Sequence, residues 1–403
     1  MEYKNVYNAN YLKALKSNIA SLQYRVEIVD WTEENILYDI TNKLISGTGN
    51  LSINYQQGVR RSFSFDLENV DKTFSPSAET GILYVGTKFK LIIGVNSIDK
   101  KDIYWWDQGI FVISDAGNKI NSGGKIVSVQ STDKFGMFGA ELGYSQLIGD
   151  YKIESGTLIY DVFRDILSTD MENGYILDYK VPYLDPLYAD EVMPYTLTKS
   201  KGSYIGDILI ELANVLGSNI FYDRSGHLNI SSGTEDVSYS QKGVLHNFEE
   251  EDLEVGDINV AYSYKDVVNS VTVIGTNIND KIYSHTAQNN NPFSNTRIEL
   301  IGLKEASPIE SAMVYSDERA EEFSIYKLNN MSILQSNISI ISSVIPHLEV
   351  DEVITVTKDY YNFMYERFII QELSFSIDFS SPMTISCCNV SELPYYELES
   401  GGE

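Results

Sequence analysis

Alternation of apolar and polar residues is the feature of this sequence that most restricts its fold. In the segment SFSFDLE at residues 62–68, Phe63, Phe65 and Leu67 alternate with polar residues. The segment LSFSIDFS at residues 373–380 repeats the pattern near the other end of the chain. A period of two is typical of a strand with one buried face. The sequence therefore predicts half-buried antiparallel β-structure in both its first and its last third.

Other segments share the strand composition and are separated by Gly, Asn, Asp and Pro, the residues that favour turns. The further strand candidates are residues 22–29, 50–55, 88–95, 109–114 and 125–132 in the first third, and 270–275, 297–302, 332–341, 352–357 and 367–372 in the last.

Helical spacing is rarer and is concentrated in the middle of the chain. The predicted helices are a stripe at Leu12, Leu15, Ile19 and Leu22, a segment at residues 157–167, a segment with N-cap Ser203 and C-cap Gly217, and a segment after Ser316. A Ser N-cap and a Gly C-cap are ordinary helix signals.

The order of these elements predicts a β-rich α+β fold, in which two similar β-barrel-like domains flank a mixed α+β region. We place the first barrel-like domain, with its N-terminal helix, at residues 1–150, the mixed domain at 151–255 and the second barrel-like domain at 256–403. The acidic run EEEDLE at residues 249–254 falls at the second boundary. Such a run is either a solvated surface or a site for a divalent cation.

Charge and composition exclude several functions. The 403 residues include 57 acidic and 30 basic ones, a net charge of −27, which disfavours sequence-specific nucleic-acid binding. This excess serves solubility, or else it forms a surface past which DNA slides without adsorbing. No apolar run reaches the roughly 18 residues of a membrane span, and the N-terminus lacks signal-peptide features.

The residues that bind metals or catalyse reactions show no recognisable pattern. Cys387 and Cys388, the only cysteines, are expected to be packed thiols at a strand end, and the four histidines lack zinc-site spacing. We find no nucleophile elbow, HExxH motif, Walker A loop or dinucleotide fingerprint. The Gly-Thr-Gly string at residues 47–49 lacks the second turn that an aspartic protease requires. We therefore predict no catalytic, cofactor or metal site, although two carboxylates suffice for glycoside hydrolysis.

Clustered aromatic residues are the candidate interface. They are Trp105 and Trp106, then Tyr360, Tyr361, Phe363 and Tyr365, with a further pair at Tyr395 and Tyr396. Tyr and Trp dominate the energetics of protein interfaces, and the same rings can stack on sugars. Adjacent residues of a strand point to opposite faces, so one of the two tryptophans is expected in the core.

Several segments, in their order, carry a resemblance to a known family. Residues 198–230 predict a capped helix followed by a hairpin, FYDRSGHLNI, with a tight turn at Gly226. Residues 266–275, 344–357 and 58–69 follow the strand patterns NxVxVxG, PxLxVGDxVxV and the pair that opens a first barrel. Together they resemble the hub proteins of bacteriophage tails and baseplates, which are similar to the hub part of contractile injection spikes. Asp351 stands where that family commonly has glycine.

This resemblance implies a structural role. Family members form homotrimers whose two barrel-like domains per chain give a pseudo-sixfold ring, which joins a hexameric tail tube or distal tail protein to a spike, fibre or tape-measure protein. It implies a location at the virion tail tip, assembly in the host cytoplasm and passage of the genome through the ring, without cofactors or membrane insertion. Two alternatives stay open: a receptor- or cell-wall-binding tail tip protein, and a wall-degrading tail hydrolase.

Overall fold

A computed structural model of the protein describes residues 8–16, 22–76, 81–121, 124–140, 142, 145–168, 178–232, 242–249, 255–275, 281–311, 314–332, 334, 336–379 and 381–389. Within these ranges the chain is mostly β-structure with few helices, which confirms the predicted β-rich fold.

The strands, in chain order, are β1 Leu22–Val29, β2 Ile36–Asp39, β3 Asn50–Asn54, β4 Arg61–Glu68, β5 Lys88–Asn96, β6 Ile103–Asn121, β7 Gly124–Asp133, β8 Tyr151–Ile153, β9 Tyr183–Leu184, β10 Leu197–Lys199, β11 Ser218–Tyr222, β12 Leu228–Ser232, β13 Val244–Phe248, β14 Val255–Tyr262, β15 Ser270–Gly275, β16 Ser284–Gln288, β17 Ile309–Ser311, β18 Ser336–Ser342, β19 Val353–Lys358, β20 Phe363–Ser376 and β21 Met383–Asn389. The α-helices are α1 Ala9–Leu15, α2 Ile159–Ser168, α3 Ile205–Leu216, α4 Ile298–Ile301 and α5 Asp317–Met331, and short 3-10 helices lie at Thr41–Lys43, Lys134–Phe138, Pro186–Tyr188 and Asp359–Tyr361.

One large sheet joins the two β-rich parts of the chain. Its strand order is β14-β18-β21-β20-β3-β4-β7-β6-β5-β1-β2, and β19 and β13 extend it from β20, giving thirteen strands. The link is the antiparallel pairing of β20 with β3, which brings residues 372–376 against residues 50–54. No ladder among the described residues connects the two ends of this order, so the strands form an open sheet and not two closed barrels.

The alternating segments occupy the positions that their pattern predicts. Phe63, Phe65 and Leu67 of β4 are buried, and so are Leu373 and Phe375 of β20. These side chains belong to a single hydrophobic core that takes residues from both β-rich parts. One face of the sheet covers this core, so every second residue of each strand points into it, and these are the apolar residues of the alternating pattern.

Two of the local predictions were wrong. Residues 297–302, predicted as a strand, form the single turn α4, since Gly302 has a φ of +77° and its N–H caps the Ile298 carbonyl. A short run of apolar residues does not by itself distinguish a strand from a helical turn. The predicted N-terminal stripe is also broken, because α1 ends at Leu15 and Leu22 begins β1. Ile19, between them, lies outside the described residues.

The middle of the chain has its own core, formed by α2, α3 and the hairpin β11–β12. The α3 helix begins one residue later than predicted, with Tyr204 as N-cap, and ends as predicted at Gly217, whose φ is +69°. The hairpin turn also matches the prediction: Gly226 has a φ of +78°, and the Asp223 carboxylate accepts hydrogen bonds from the N–H groups of Ser225 and His227.

A small separate unit lies between β14 and β18. It contains β15, β16, β17, α4 and α5, and it buries a third, smaller hydrophobic cluster that includes Val271, Val273 and Phe323. The predicted N-cap of α5 is confirmed, because the Ser316 hydroxyl accepts a hydrogen bond from the N–H of Arg319. This unit is therefore an insertion into what is otherwise a strand-to-strand connection of the large sheet.

Candidate assembly interface

The candidate aromatic residues fall into two groups that the structure keeps apart. Trp106, only 2% exposed, packs in the core against Tyr11 and His347, with ring centroids 5.4 and 5.9 Å away. Trp105 points to the opposite face, where the Arg25 guanidinium lies 4.2 Å from its ring centroid. One tryptophan is therefore core, as the alternation within a strand predicts, and the other is partly exposed.

The second group surrounds the turn between β19 and β20. Tyr360 is 87% exposed and stands edge-on to Tyr361, with ring centroids 5.0 Å apart. Tyr365 is also exposed, whereas Phe363 is half-buried against Phe368. Of these four candidates, Tyr360, Tyr361 and Phe363 form a continuous series of ring contacts, and Tyr365 follows on β20. Tyr360 and Tyr365 are the two exposed rings. We call this group the aromatic turn.

The aromatic turn lies beside strand β14. The Tyr361 hydroxyl donates a hydrogen bond of 3.1 Å to the Ile258 carbonyl, on a strand that forms one end of the large sheet. Exposed rings and the end strand of a sheet are both features of interaction surfaces. The structure thus places the aromatic candidates next to a second possible contact, which the sequence did not indicate.

A buried ionic cluster joins the first β-rich part to the middle of the chain. The Glu33 carboxylate lies 2.8 Å from the ammonium groups of both Lys88 and Lys134, and 2.9 Å from that of Lys180. Lys134 also contacts Asp178 at 2.8 Å. Burial alone raises the pKa of Glu33, but the nearby ammonium groups outweigh it and lower that pKa below its usual value. The carboxylate is therefore held ionised among buried cations.

A second cluster connects all three parts of the chain. The Glu349 carboxylate lies 2.6 Å from the Arg61 guanidinium of β4 and 3.2 Å from that of Arg224 in the β11–β12 turn. Arg224 also donates hydrogen bonds to the carbonyls of Pro346, His347 and Leu348. Burial raises the pKa of Glu349, but the two guanidinium groups lower it further than burial raises it.

Other buried titratable groups have structural partners. Burial raises the pKa of Asp133 to about 6, although its carboxylate accepts hydrogen bonds from the N–H groups of Arg60, Arg61 and Phe135. Burial also lowers the pKa of His347, whose Nδ1 lies 2.7 Å from the Tyr11 hydroxyl. These contacts hold loops and strands together.

Sequence reasoning missed both clusters. The only local sign was a single charged residue within an apolar strand, such as Lys88 before FKLIIGV. Such a residue is usually surface-facing, and its buried partner Glu33 lies far away along the chain.

The Gly-Thr-Gly string forms a turn where the two β-rich parts meet. The Asp378 carboxylate accepts hydrogen bonds from the Ser46 hydroxyl, at 2.8 Å, and from the Gly47 N–H. The Thr48 hydroxyl donates to the Ile45 carbonyl at 2.7 Å. This carboxylate is therefore committed to holding the turn.

The remaining candidate features give no further site. Cys387 is buried and both cysteines are free, as predicted. The part of the chain that the structure describes contains no group of three or more His, Cys, Asp or Glu side chains placed to hold a metal ion. Nor does it contain a helix long and apolar enough to span a membrane. Of the acidic run only Glu249 is described, and Tyr395 and Tyr396 lie outside the described residues.

Comparison with solved structures identifies the fold. The 43 kDa tail protein of prophage MuSo2 from Shewanella oneidensis is similar with a TM-score of 0.58 and 13% identity, covering 92% of this chain and 99% of that one. The tail protein from Neisseria meningitidis MC58 gives 0.57 and 10% identity over 91% and 96%. Prophage tail protein gp18 from Listeria monocytogenes EGD-e gives 0.53 and 10% over 91% and 94%.

No family model matches the sequence, and no curated protein matches it by sequence. The likeness is therefore one of fold, and it extends over nearly the whole of each chain. This chain has the fold of phage tail proteins, which confirms the resemblance that the sequence indicated.

Proposed function

We propose that this protein is a structural hub subunit of a phage tail tip or baseplate, without enzymatic activity, and that it forms a homotrimeric, pseudo-sixfold ring. One side of the ring docks on a hexameric tail tube or distal tail protein. The other side holds a spike, fibre or tape-measure protein, and the genome passes through the centre. The fold, shared with phage tail proteins, supports a structural tail component.

The observation that best supports the proposed ring is a strand order that occurs twice in the sheet. In the first β-rich part the order is β3-β4-β7-β6-β5, and in the second it is β14-β18-β21-β20-β19. Each strand of the first series has a counterpart in the second, in the same order along the chain and across the sheet. A chain with two similar units can contribute two equivalent segments to a ring, so that three chains form six.

Local details support the correspondence. The N–H of Ile113 bonds to the Thr87 carbonyl where β5 begins, and that of Ile370 bonds to the Glu352 carbonyl where β19 begins. Each is followed by a bulge, between Ile113 and Asp115 in one unit and between Ile370 and Glu372 in the other. The preceding residues, Gly86 and Asp351, both have a left-handed φ, +88° and +70°. Asp351 therefore adopts the backbone conformation of the glycine that it replaces.

The strand that follows each five-strand series differs between the units. In the first unit β1 runs antiparallel to β5, whereas in the second β13 runs parallel to β19. In the proposed division, with boundaries near residues 150 and 255, the second unit includes β13, which lies just before its boundary.

The acidic excess is proposed to face the channel in part, where it repels the passing polyanion. A channel lined mainly by Lys and Arg would contradict this point.

Electron microscopy of the assembled tail tests the proposal. We expect the chain on the tail axis, below the tube, in a ring whose mass corresponds to three chains of 45.5 kDa. A position at the periphery of the particle, or a monomer with no affinity for tube or baseplate proteins, would overturn it.

The exposed aromatic turn favours a second candidate, a receptor- or cell-wall-binding tail tip protein. Tyr360 and Tyr365 are free to stack on sugars. Binding of the isolated protein to host wall fragments, lost in Tyr360→Ala but retained in Trp106→Phe, would support it. A zymogram on host wall separates both from a wall hydrolase, for which we expect no clearing.

A further inference from the structure

The last part of strand β6 has an open edge among the described residues, whereas the corresponding part of its counterpart β20 is paired with β3. In the second unit, β20 continues past the start of β19, and its residues 372–376 pair there with β3. Hydrogen bonds from Tyr55 N–H to the Gln371 carbonyl, 2.7 Å, and from Ile377 N–H to the Gly49 carbonyl, 3.0 Å, extend that ladder at both ends. In the first unit, β6 likewise continues past the start of β5, but there no described strand takes the corresponding place.

Because the two units correspond, each residue on this open edge of β6 can be matched with a residue of β20. Ile113 corresponds to Ile370, and the bulge that follows each of them brings Asp115 into correspondence with Glu372. Residues 115–119 of β6 are therefore the counterparts of residues 372–376 of β20. Asp115, Gly117 and Lys119 are exposed.

Strand β14 supplies the complementary edge. It is the counterpart of β3, but among the described residues it pairs only with β18 and ends the sheet. The register follows from the strand pairing. In the first unit Asn50 pairs with Ser64, which pairs with Gln130. In the second unit Asn259 pairs with Ser339, which pairs with Ser386. Since Gln130 and Ser386 oppose the corresponding residues Asp115 and Glu372, Asn259 corresponds to Asn50.

We propose that the β6 edge of one copy pairs with the β14 edge of the next copy, so that the joint between β20 and β3 is repeated between chains. This inference rests on the proposed ring and names its contact. Antiparallel pairing then places Lys119 opposite Asn259, Gly117 opposite Ala261 and Asp115 opposite Ser263 of the next copy. The contact is head-to-tail, the type that generates a ring when its rotation closes.

Burial supports this pairing. Ile377 and Ile53 are each 1% exposed at the joint within the chain. Their counterparts at the open edges, Ile120 and Tyr262, are 82% and 53% exposed. Open strand edges and apolar side chains are both features that proteins normally cover. One contact between copies covers both.

The correspondence has one polar exception. Asn118 stands where Phe375 is buried, and its amide oxygen accepts hydrogen bonds from Asn69 and Ser75 of its own chain. The joint between copies is therefore less apolar than the joint within the chain, so we expect it to dissociate at concentrations at which the chain stays folded.

Engineered disulfides test the register. At the joint within the chain the hydrogen-bonded residues are Gln371 and Ile377, so the intervening pair Ser376–Asn50 is non-hydrogen-bonded. The corresponding pair between copies is Lys119–Asn259. Cα atoms in such pairs are about 4.5 Å apart, within the range that a disulfide spans.

We expect the double variant Lys119→Cys/Asn259→Cys to form covalent dimers and trimers under mild oxidation. The matched control is Lys119→Cys/Ala261→Cys, in which the cysteines lie on the same face but are displaced by two residues, roughly 7–8 Å apart. Each single variant reports any reaction with the native Cys387 or Cys388. All of these positions are exposed, so the variants are expected to fold.

Cross-linking of the first double variant but not of the control supports the pairing. A particle with the mass of three chains that does not cross-link overturns the pairing and leaves the proposed ring standing. Equal cross-linking of both double variants also overturns it, because the register would then be undefined. A chain that neither associates nor cross-links at high concentration contradicts the pairing, while its position on the tail still decides the proposed function.

Discussion

The two β units share one strand order and differ in what they bury. At equivalent positions, the first unit has Lys88 in an ionic cluster with Glu33, and the second has the apolar Val353, also buried. Between β3 and β4 the chain makes a short turn at residues 55–60, whereas between the counterparts β14 and β18 it inserts a unit at residues 263–335. The same topology therefore has two roles. The first unit contacts the middle of the chain through the Glu33 cluster, and the second carries an insertion between two of its strands.

We expect the greatest loss of stability when the buried ionic cluster around Glu33 is disrupted. Glu33→Ala leaves the buried ammonium groups of Lys88 and Lys134 without their shared carboxylate, although Lys134 keeps Asp178. Removing one partner of a buried ion pair costs about 3–5 kcal/mol. We expect urea denaturation to show a loss of unfolding free energy of that size. The control is the exposed neighbour, Glu34→Ala, and equal losses in the two variants would contradict an anchoring role.

The same carboxylate predicts a pH dependence. The folded pKa of Glu33 is lowered, so its contribution to stability is present above the unfolded pKa of about 4.3 and is lost as the pH falls through the folded value. We therefore expect the stability gap between the wild type and Glu33→Gln to be constant near neutral pH and to narrow in acid. A gap that widens as the pH falls would reverse the assignment.

The joint between the units gives the next largest effect. A Cβ at Gly49 would lie 2.5 Å from Cγ1 of Ile377, a side chain that is itself buried. Overpacking of this kind costs about 1–3 kcal/mol, and we expect Gly49→Ala to lower the unfolding free energy by that amount. Ile377→Val removes Cδ1, which would lie 2.7 Å from the same Cβ, so a double-mutant cycle should show a combined loss smaller than the sum of the two single losses. Additive losses would mean that the two residues do not meet.

A smaller effect tests whether the units are equivalent at their left-handed residues. Val at position 86 or 351 must adopt a positive φ, which costs about 1–2 kcal/mol for an L-residue, so both Gly86→Val and Asp351→Val should be destabilised. The added strain should be smaller in Asp351→Val, because Asp351 already adopts that conformation in the wild type. Asp351→Gly removes that strain but also the contact with Lys242, 3.5 Å away. We expect its stability to lie within about 1 kcal/mol of wild type. If only one of the two Val variants loses unfolding free energy, the two residues are not equivalent positions of the two units.

The smallest effect on stability is expected at the aromatic turn. Tyr360→Ala should change the unfolding free energy by less than about 0.5 kcal/mol, because the ring is almost fully exposed. Phe368→Ala, which empties a buried site nearby, should cost about 3–5 kcal/mol. If Tyr360→Ala nevertheless weakens docking to tail proteins, the turn is an interface. Unchanged docking would leave the sheet edges as the principal contact surfaces.

Local structure was largely predictable from the sequence. The strands β1 and β15 have the predicted bounds, and the caps at Gly217 and Ser316 lie where predicted. These features depend on neighbouring residues, such as the side chain that alternates or the hydroxyl that caps a helix. The prediction failed at residues 297–302, where an exposed apolar run carried no period that separates strand from turn.

The candidate site was predictable only in part. The aromatic residues were recognisable by type, but burial of Trp106 and exposure of Tyr360 depend on what packs over them. The partners of Glu33 and Glu349 come from separate parts of the chain, and no local spacing connects them. Charged residues in the sequence indicate a surface by default, so these clusters could not be found before the fold was known.

The alternating strands and the helix caps of this protein could be predicted from its sequence, because each depends on residues that are close along the chain, and its acidic, β-rich character follows from composition. The pairing of β20 with β3 and the core that the two units share become visible only in the folded structure, and so do the edges of β6 and β14 that no described strand covers. The physical reason is that a strand's pattern specifies which face is buried but not which strand lies beside it. Pairing depends on backbone hydrogen bonds, which are common to all residues except proline.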